Sequence, residues 1–494
     1  MKNTQIERDL SQVPDQFQQL LTRKKEKAAT DLHSYVGTLE STDLIKLDAL
    51  FRERTSMDWS RDWSRENPLT LVPRSVSEEV KETILCLATF HPNGYFRERA
   101  LRALEESASY SSLPFLLLRC MDWVREVREV ANHLVRSKIS PEHASSFVSH
   151  LPILFKWMES ERADKRLVEE IFTMLMEEGE ALIKGTASNL SKIRHFSYRL
   201  ILKGGRATQN QLMEWMKRER EPHSRLLLYR SFTENVTEDA FKAAYSVLKH
   251  DRFPQIRADV LRRYHSMHPE NENEVRNALF DRSGMIRSIA RYLMKQNGVA
   301  DLAAIYREAV KEGTSLRGAI LGLGETGEAG DAERILPFIE RSEPGIVKAS
   351  IRSLGFIGGG CYQEKLIVLL NHEHRGVAKE ARRALQHTGY DAVEDRIHGI
   401  YAGASNVHTA LQCAVLLGAL PKWTGIRYSI EMCSSTEPAI RELGLHQVDS
   451  WLRTFNKTFS IPTSDQKDLI KEALQKHGNA LPPDVQRELA FCLK

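Results

Sequence analysis

Basic residues recur along this chain at a nearly constant spacing, and such a column of cations could bind phosphate groups. From the first of them onward the intervals are 31, 32, 30, 30, 31 and 31 residues. The recurring cations are Arg194, Arg225, Arg257, Arg287, Arg317, Lys348 and Lys379. A ladder of Arg and Lys along a surface could follow a nucleic-acid backbone. The six-residue partners of these cations favour another role.

A polar residue stands six positions before each of these cations. These residues are Ser188, Glu219, Asp251, Asp281, Lys311, Ser342 and Glu373. All except Lys311 offer a side-chain oxygen that can cap the start of a helix. The spacing therefore predicts a helix beginning between each pair, once in every repeat.

Glycines and histidines form two further patterns that could carry chemistry. Gly322, Gly324 and Gly327 in GLGETG satisfy the G-x-G-x-x-G pattern of a dinucleotide-binding turn. That turn needs a preceding strand and opens a helix, whereas this segment closes one. His372 and His374 flank Glu373 without any further ligand cluster, and the six cysteines show no metal-binding spacing. The sequence therefore predicts no catalytic residue, no cofactor and no metal site.

The elements that carry these residues follow a helical pattern. Small and apolar residues recur every three or four positions in SLRGAILGLG, ASIRSLGFIG and KEARRALQHTG. Each such run ends at Gly327, Gly358 or Gly389, which suits a left-handed helix C-cap. A second apolar run follows, and Pro254, Pro344 and Pro438 fall where the first turn of a helix is expected. The pattern predicts two antiparallel helices in every repeat.

The segments DRFPQIRADVL, DRSGMIRSIAR, SLRGAILGLGETG and VAKEARRALQHTG resemble HEAT repeats, especially the short bacterial type of phycobilisome-lyase-like proteins. The resemblance continues upstream to DWVREVREVANHLV and downstream to EPAIRELGL, and the period leaves room for about twelve repeats. It implies an all-α fold, an α-solenoid (superhelix) of antiparallel HEAT-like helix pairs. It also implies that the basic residues bond inward to turn acids of their own and adjacent repeats. The residues expected in this structural ladder are Asp122, Arg128, Arg194, Arg225, Asp251, Arg257, Asp281, Arg287, Arg317, Lys348, Lys379 and Arg441.

Three regions are expected from the periodicity. Residues 1–75 lack the period and are expected to form an N-terminal helical cap with a partly flexible lead. Residues 76–455 would form the HEAT-like solenoid, and residues 456–494 the C-terminal capping helices. A stack of repeats needs polar outer faces at its two ends.

Tryptophans supply the candidate partner-binding residues. Trp59 and Trp63 lie four residues apart in DWSRDWSRENP. One interpretation is that they cover the open apolar edge of the first repeat, and the alternative is that they anchor a protein partner. Four other tryptophans lie among apolar residues at helical spacing and are expected in the core, namely Trp123, Trp157, Trp215 and Trp451.

The composition does not indicate which kind of partner the protein binds. The chain has 494 residues, and its 70 basic and 66 acidic residues give a net charge of +4. This balance does not require nucleic acid or an acidic membrane surface. We expect no membrane insertion and a cytoplasmic location, because no apolar run has the length of a signal peptide core or a membrane span.

The leading functional hypothesis is a non-catalytic scaffold that binds a protein or peptide along the concave surface of the solenoid. The alternative is a nucleic-acid-binding module that resembles the helical-repeat alkylpurine DNA glycosylases. A third hypothesis, an enzyme or chaperone of the phycobilisome-lyase type, depends on the resemblance of the repeats alone.

Overall fold

The computed structural model of the chain describes residues 2–55, 61–105, 107, 109–234 and 236–493. Every regular element in these residues is helical, so the predicted all-α fold is confirmed. The chain forms two compact units, Met1–Ala244 and Tyr245–Lys494. The division into a cap, a repeat region and capping helices stays a prediction.

The first unit consists of short helices that pack on their neighbours in sequence. They are α1 Lys2–Gln19, α2 Lys25–Val36, α3 Ser41–Thr55, α4 Glu78–Ala88, α5 Gly94–Ala103, α6 Leu113–Arg119, α7 Arg125–Ser137, α8 Ala144–Ser149, α9 Leu151–Glu159, α10 Lys165–Glu178, α11 Glu180–Gly185, α12 Ser191–Lys203, α13 Gln209–Arg218, α14 Pro222–Glu234 and α15 Glu238–Leu248. The boundary between the units falls within α15. The core of the first unit is continuous from Leu10 to Ile201 and includes the adjacent rings of Phe51, Phe90 and Phe115.

The second unit continues the succession of helix pairs. Its helices are α16 Pro254–Met267, α17 Glu272–Ala278, α18 Gly284–Gln296, α19 Leu302–Glu312, α20 Leu316–Thr326, α21 Ala332–Ile335, α22 Pro344–Ile357, α23 Gln363–Val368, α24 Arg375–Thr388, α25 Glu394–Ala402, α26 Val407–Gly418, α27 Lys422–Cys433, α28 Pro438–Thr454, α29 Ser464–His477 and α30 Pro483–Cys492. Short 3-10 turns lie at Pro68–Leu71, Pro141–His143, Ala329–Asp331, Leu336–Glu340, Gly359–Tyr362, Leu369–Asn371, Asp391–Val393, Phe455–Lys457 and Gly478–Ala480.

Prolines begin several helices of the second unit, as the sequence predicts. Pro254, Pro344 and Pro438 each stand in the first turn of their helix. At this position the missing N–H leaves no helical hydrogen bond unmade.

The glycines that close the repeats are only partly as predicted. Gly389 has φ +85°, but Gly327 and Gly358 have φ −77° and −89°, so a left-handed C-cap is wrong for these two. At these two positions glycine is needed because a side chain would not fit. A Cβ on Gly358 would lie 2.4 Å from the ring of Tyr362, and one on Gly327 would lie 2.7 Å from the Leu323 carbonyl oxygen.

Close contact between α20, α22 and α24 also depends on small residues. A Cβ on Gly324 would lie 2.3 Å from Ser353 Oγ, and one on Gly355 would lie 3.1 Å from the Cβ of Ala384. The glycine-rich segment of α20 is therefore a helix-packing surface. Helix α22 packs against both α20 and α24.

Candidate partner-binding surface

The predicted ladder of arginines exists, and its recurring contact is to the backbone. In each case a guanidinium Nη1 donates to the carbonyl oxygen six residues earlier. The pairs are Arg97–His91 (2.8 Å), Arg128–Asp122 (2.6 Å), Arg194–Ser188 (2.9 Å), Arg225–Glu219 (2.9 Å), Arg257–Asp251 (2.6 Å), Arg287–Asp281 (2.6 Å) and Arg441–Ser435 (3.2 Å). The six-residue spacing in the sequence therefore reflects an Arg-to-carbonyl bond across the turn that precedes each helix.

The carboxylates of the ladder pair with the arginine of the preceding repeat. Arg257 donates through Nε and Nη2 to Asp281 at 2.9 and 2.6 Å, and Arg194 donates to Glu219 at 2.9 Å through each of the same two nitrogens. Asp281 also accepts the backbone N–H of Ser283 at 2.7 Å. One carboxylate therefore fixes its own turn and joins two repeats.

Burial strengthens the ion pairs that join neighbouring repeats. The side chains of Arg97 and Asp122 have no exposed surface, and they meet at 2.7 Å. Burial by itself would raise the pKa of Asp122, but the charges of Arg119 and Arg97 hold it below its ordinary value. Burial also opposes ionisation of Glu219, and its hydrogen bonds from Arg194 and the turn amides hold its pKa below the ordinary value.

Three members of the predicted ladder do not occupy the ladder position. Arg128, Arg194, Arg257, Arg287 and Arg441 stand four residues after the N-cap of their helix. In α20, α22 and α24 the N-caps are Ser315, Glu343 and His374, so the equivalent residues are Ala319, Val347 and Ala378, all buried.

The cations Arg317, Lys348 and Lys379 therefore lie elsewhere on their helices. A structural ladder role for them is wrong, because Lys348 and Lys379 stand one residue after the ladder position and Arg317 stands two residues before it. Each residue turns a side chain by about 100° around a helix. Arg317 and Lys379 are exposed and Lys348 is half-buried. None of the three makes a hydrogen bond or ion pair to any residue that the structure describes.

Two of these cations belong to a surface that we call the α22–α24 face. It consists of Lys348, Arg352 and Phe356 on α22, and Lys379, Glu380, Arg383 and His387 on α24. The carboxylate of Glu380 accepts from Arg352 Nε at 2.7 Å and lies 3.5 Å from Arg383 Nη1. Phe356 is 53% exposed and meets the His387 ring edge-on, with 5.1 Å between centroids.

The α22–α24 face has an excess of positive charge. Helix α22 carries Lys348 and Arg352 and no carboxylate, whereas α24 carries four cations and the single carboxylate of Glu380. A further arginine of α24, Arg382, donates to Gln412 at 2.9 Å, and burial and the charge of Arg383 lower its pKa. Helix α23 of the same repeat carries one Glu and one Lys. The excess positive charge therefore lies on α22 and α24 and not on α23.

The tryptophans are arranged differently from the sequence-based expectation. Trp59 lies outside the described residues. Trp63 is 8% exposed, with its ring 4.3 Å from His91 and 5.0 Å from Phe96, so its ring covers apolar surface of the first unit. Trp123 is 55% exposed, so its expected core position is wrong.

Charged groups stack on the exposed ring of Trp123. The guanidinium carbons of Arg52 and Arg97 lie 4.3 and 4.8 Å from the Trp123 ring centroid. Cation–π contacts of this kind hold an aromatic ring without burying it. Sequence spacing around Trp123 gave no signal of these contacts, because Arg52 comes from α3.

No group of three metal-ligating side chains occurs in the parts of the chain that the structure describes. Burial raises the pKa of the Cys86 and Cys120 thiols, and it raises that of Cys413 to about 12. These thiols are protonated at neutral pH and are therefore poor nucleophiles. His372 and His374 each accept a backbone N–H through Nδ1 within their own turn.

Paired short helices and an Arg-to-carbonyl contact repeated across successive turns define this chain as a helical-repeat protein. The subtype related to phycobilisome lyases stays a prediction. Among the described residues, no helix combines the length and apolar character needed to cross a membrane.

Comparison with known proteins found distant similarity to solved structures. No family model matches the chain, and no curated protein matches it. A crystal structure of a Kap121p mutant aligns at 10% identity and a TM-score of 0.30, covering 96% of this chain and 59% of Kap121p. Importin beta aligns at 11% identity and a TM-score of 0.31, covering 97% and 70% of the two chains. Kap121p bound to Pho4p aligns at 9% identity and a TM-score of 0.32, covering 99% and 65%.

The chain spans less than two thirds of the Kap121p structures that it matches. Identities and TM-scores this low carry no argument about partners or activity.

Proposed function

We propose that this protein is a non-catalytic scaffold that binds an acidic, extended segment of a partner protein on the α22–α24 face. The observation that carries the proposal is the pair of lysines, Lys348 and Lys379, that lie outside the ladder and have no partner among the described residues. At Arg194, Arg257 and Arg287 the ladder cation donates to both a carbonyl and a carboxylate. Here the cations remain available to a ligand.

The two arginines of the face are positioned in advance for carboxylate recognition. Arg352 uses its Nε toward Glu380, which leaves its two terminal nitrogens able to donate to another group. Glu380 is itself buried, and it restrains the side chains of Arg352 and Arg383 before any ligand binds. Little further side-chain entropy is therefore lost when a ligand binds these two arginines. A guanidinium group held in this way favours a planar carboxylate.

Two observations favour a peptide over a nucleic acid on this face. Phe356 adds an exposed aromatic surface beside the cations, which suits an apolar anchor side chain of a protein segment. In addition, the ladder arginines that could have formed a phosphate-binding stripe, such as Arg194 and Arg257, are turned toward carbonyls and carboxylates.

The experiment measures binding of two fluorescein-labelled probes to the full chain by fluorescence anisotropy. One probe is a nine-residue peptide of Glu and Asp with a central Phe and Leu, and the other is a twenty-nucleotide oligothymidine. We expect the peptide to bind, and we expect K348E/K379E to weaken it at least tenfold, since two attractive charges become repulsive. Rising salt should weaken the wild-type complex.

The matched control is K311E/K365E. It changes the net charge of the chain by the same amount as K348E/K379E, but its two lysines lie on the other helix of their repeats. Lys311 and Lys365 are both exposed and lie on α19 and α23. If both double variants lose the peptide equally, the binding reflects net charge and the α22–α24 face has no special role. Binding of oligothymidine alone, lost in K348E/K379E, would replace this proposal with the nucleic-acid alternative.

A further inference from the structure

The segment between α28 and α29 exposes two large apolar side chains. Phe459 is 96% exposed and Ile461 is 89% exposed, the highest values among the large apolar side chains that the structure describes. The two alternate with Ser460 in the chain. Exposed apolar groups that are concentrated in one short segment mark interaction sites.

This segment is fixed to the protein through the carbonyls of alternate residues. Trp423 Nε1 donates to the Ser460 carbonyl oxygen at 2.8 Å, and Lys422 Nζ donates to that of Thr458 at 3.2 Å. Lys422 Nζ also donates to the Phe455 carbonyl at 2.7 Å and lies 4.2 Å from the Phe455 ring centroid. The segment is therefore held against α27 by groups that do not involve Phe459 or Ile461.

The backbone is extended at both ends of the segment. Thr458 has φ −129° and ψ 127°, and Thr463 has φ −72° and ψ 165°. Pro462 disfavours the helical region for Ile461, which precedes it. In an extended chain the backbone groups of successive residues point toward opposite edges.

One edge of this extended segment is open. Because the carbonyls of Thr458 and Ser460 point toward α27, the N–H and C=O groups of Phe459 and Ile461 point away from it. Those groups of Phe459 and Ile461 make no hydrogen bond to any residue that the structure describes. Unpaired backbone groups beside exposed apolar side chains form a template for another strand.

We propose that residues 458–461 are a docking strand, to which an extended peptide of a partner protein adds by backbone pairing. Apolar side chains at alternate positions of that peptide pack on Phe459 and Ile461. Backbone hydrogen bonds supply affinity in this mode, and alternate side chains supply specificity. This site does not involve the α22–α24 face.

Two observations favour a peptide over a second copy of the chain. A two-fold pairing about Ser460 would join only three residues from each chain, whereas stable protein interfaces bury roughly 1,200–2,000 Å² in total. A flexible peptide can bind through a few anchors and continue onto neighbouring surface. Residues 450–464 contain no carboxylate and Lys457 lies one residue before the docking strand, so carboxylates flanking the apolar residues of the peptide would be favoured.

The test selects a displayed library of random nine-residue peptides on the full chain and measures the enriched peptides by anisotropy. We expect sequences that alternate apolar and polar residues, and at least tenfold weaker binding to F459T/I461T, which keeps the β propensity but removes the apolar groups. The control F491T replaces another phenylalanine, 72% exposed on α30, and should bind as the wild type does. N-methylation of the peptide should abolish binding at alternate positions only.

Three results would overturn the proposal. One is a selection in which no enriched peptide depends on Phe459 and Ile461, and another is tolerance of N-methylation at every position. The third is a concentration-dependent dimer in sedimentation velocity that F459T/I461T abolishes, which would assign the strand to a second copy. Peptide binding in the K348E/K379E variant should be unchanged, so failure of this proposal and failure of the proposed function are distinguishable.

Discussion

Replacement of Asp281 by alanine should destabilise the contact between α16 and α18 by about 3 kcal/mol. Asp281 accepts two charge-assisted hydrogen bonds from Arg257, whose side chain is 4% exposed, and caps the following turn through Ser283. Each charge-assisted bond contributes about 1.5 kcal/mol, and the variant leaves a buried guanidinium with the Asp251 carbonyl as its remaining partner. We place the cost near the lower limit for breaking a buried pair because Asp281 itself is 19% exposed.

Hydrogen–deuterium exchange followed by mass spectrometry measures this effect locally, which matters because a chain of two units need not unfold in one step. A cost of about 3 kcal/mol corresponds to exchange on the order of 100-fold faster in peptides from α16 and α18. The matched control is D259A, which removes the partner of Arg263 in an exposed pair on α16 with a 2.7 Å contact. Exposed pairs contribute about 0.2–1 kcal/mol, so this variant should accelerate exchange less than tenfold.

The ladder interpretation is refuted if D281A and D259A accelerate exchange to the same extent. The double variant R257M/D281A distinguishes the loss of the Arg257–Asp281 ion pair from the loss of the hydrogen bond between Asp281 and the Ser283 N–H. It should be less destabilised than the two single changes added together, since neither charge is then left buried alone. Simple addition of the two effects would show that Arg257 and Asp281 act independently.

Other positions give separate tests. The hydrogen bond to Glu431 raises the pKa of His398 in the folded protein. The stability that this hydrogen bond contributes should therefore be complete below the unfolded-state pKa of 6.5, and it should be lost as the pH rises through the folded-state pKa. Urea midpoints at pH 5.5 and 8.5 should therefore differ more in the wild type than in E431Q. Gly324→Ala should lower stability by about 1–3 kcal/mol in urea unfolding, because its Cβ would overlap α22, whereas Gly330→Ala, with open space around it, should change it little. Cys361 is exposed and should react with a thiol reagent within minutes, before the buried thiols, and equal rates for all thiols would contradict the described packing.

The sequence determined the repeat and its local chemistry. A period of 30 to 32 residues, with prolines in the first turns of helices, predicted a succession of helix pairs, and the structure has them. The six-residue spacing also marked a real contact, although the oxygen that Arg257 and its equivalents reach across the turn belongs to the backbone. These features are local, since they depend on residues within one turn of each other.

Tertiary structure decided which groups are left for a partner. Lys348 and Lys379 continue the period of the ladder, but the N-caps of α22 and α24 come one residue too early for them to occupy its position. A one-residue difference is small in a 31-residue period but rotates a side chain by about 100°. Likewise, Trp63 is buried and Trp123 is exposed because contacts from distant helices decide which ring is covered. Sequence periodicity fixes the spacing of elements, whereas burial and charge pairing depend on where each helix begins and what packs against it.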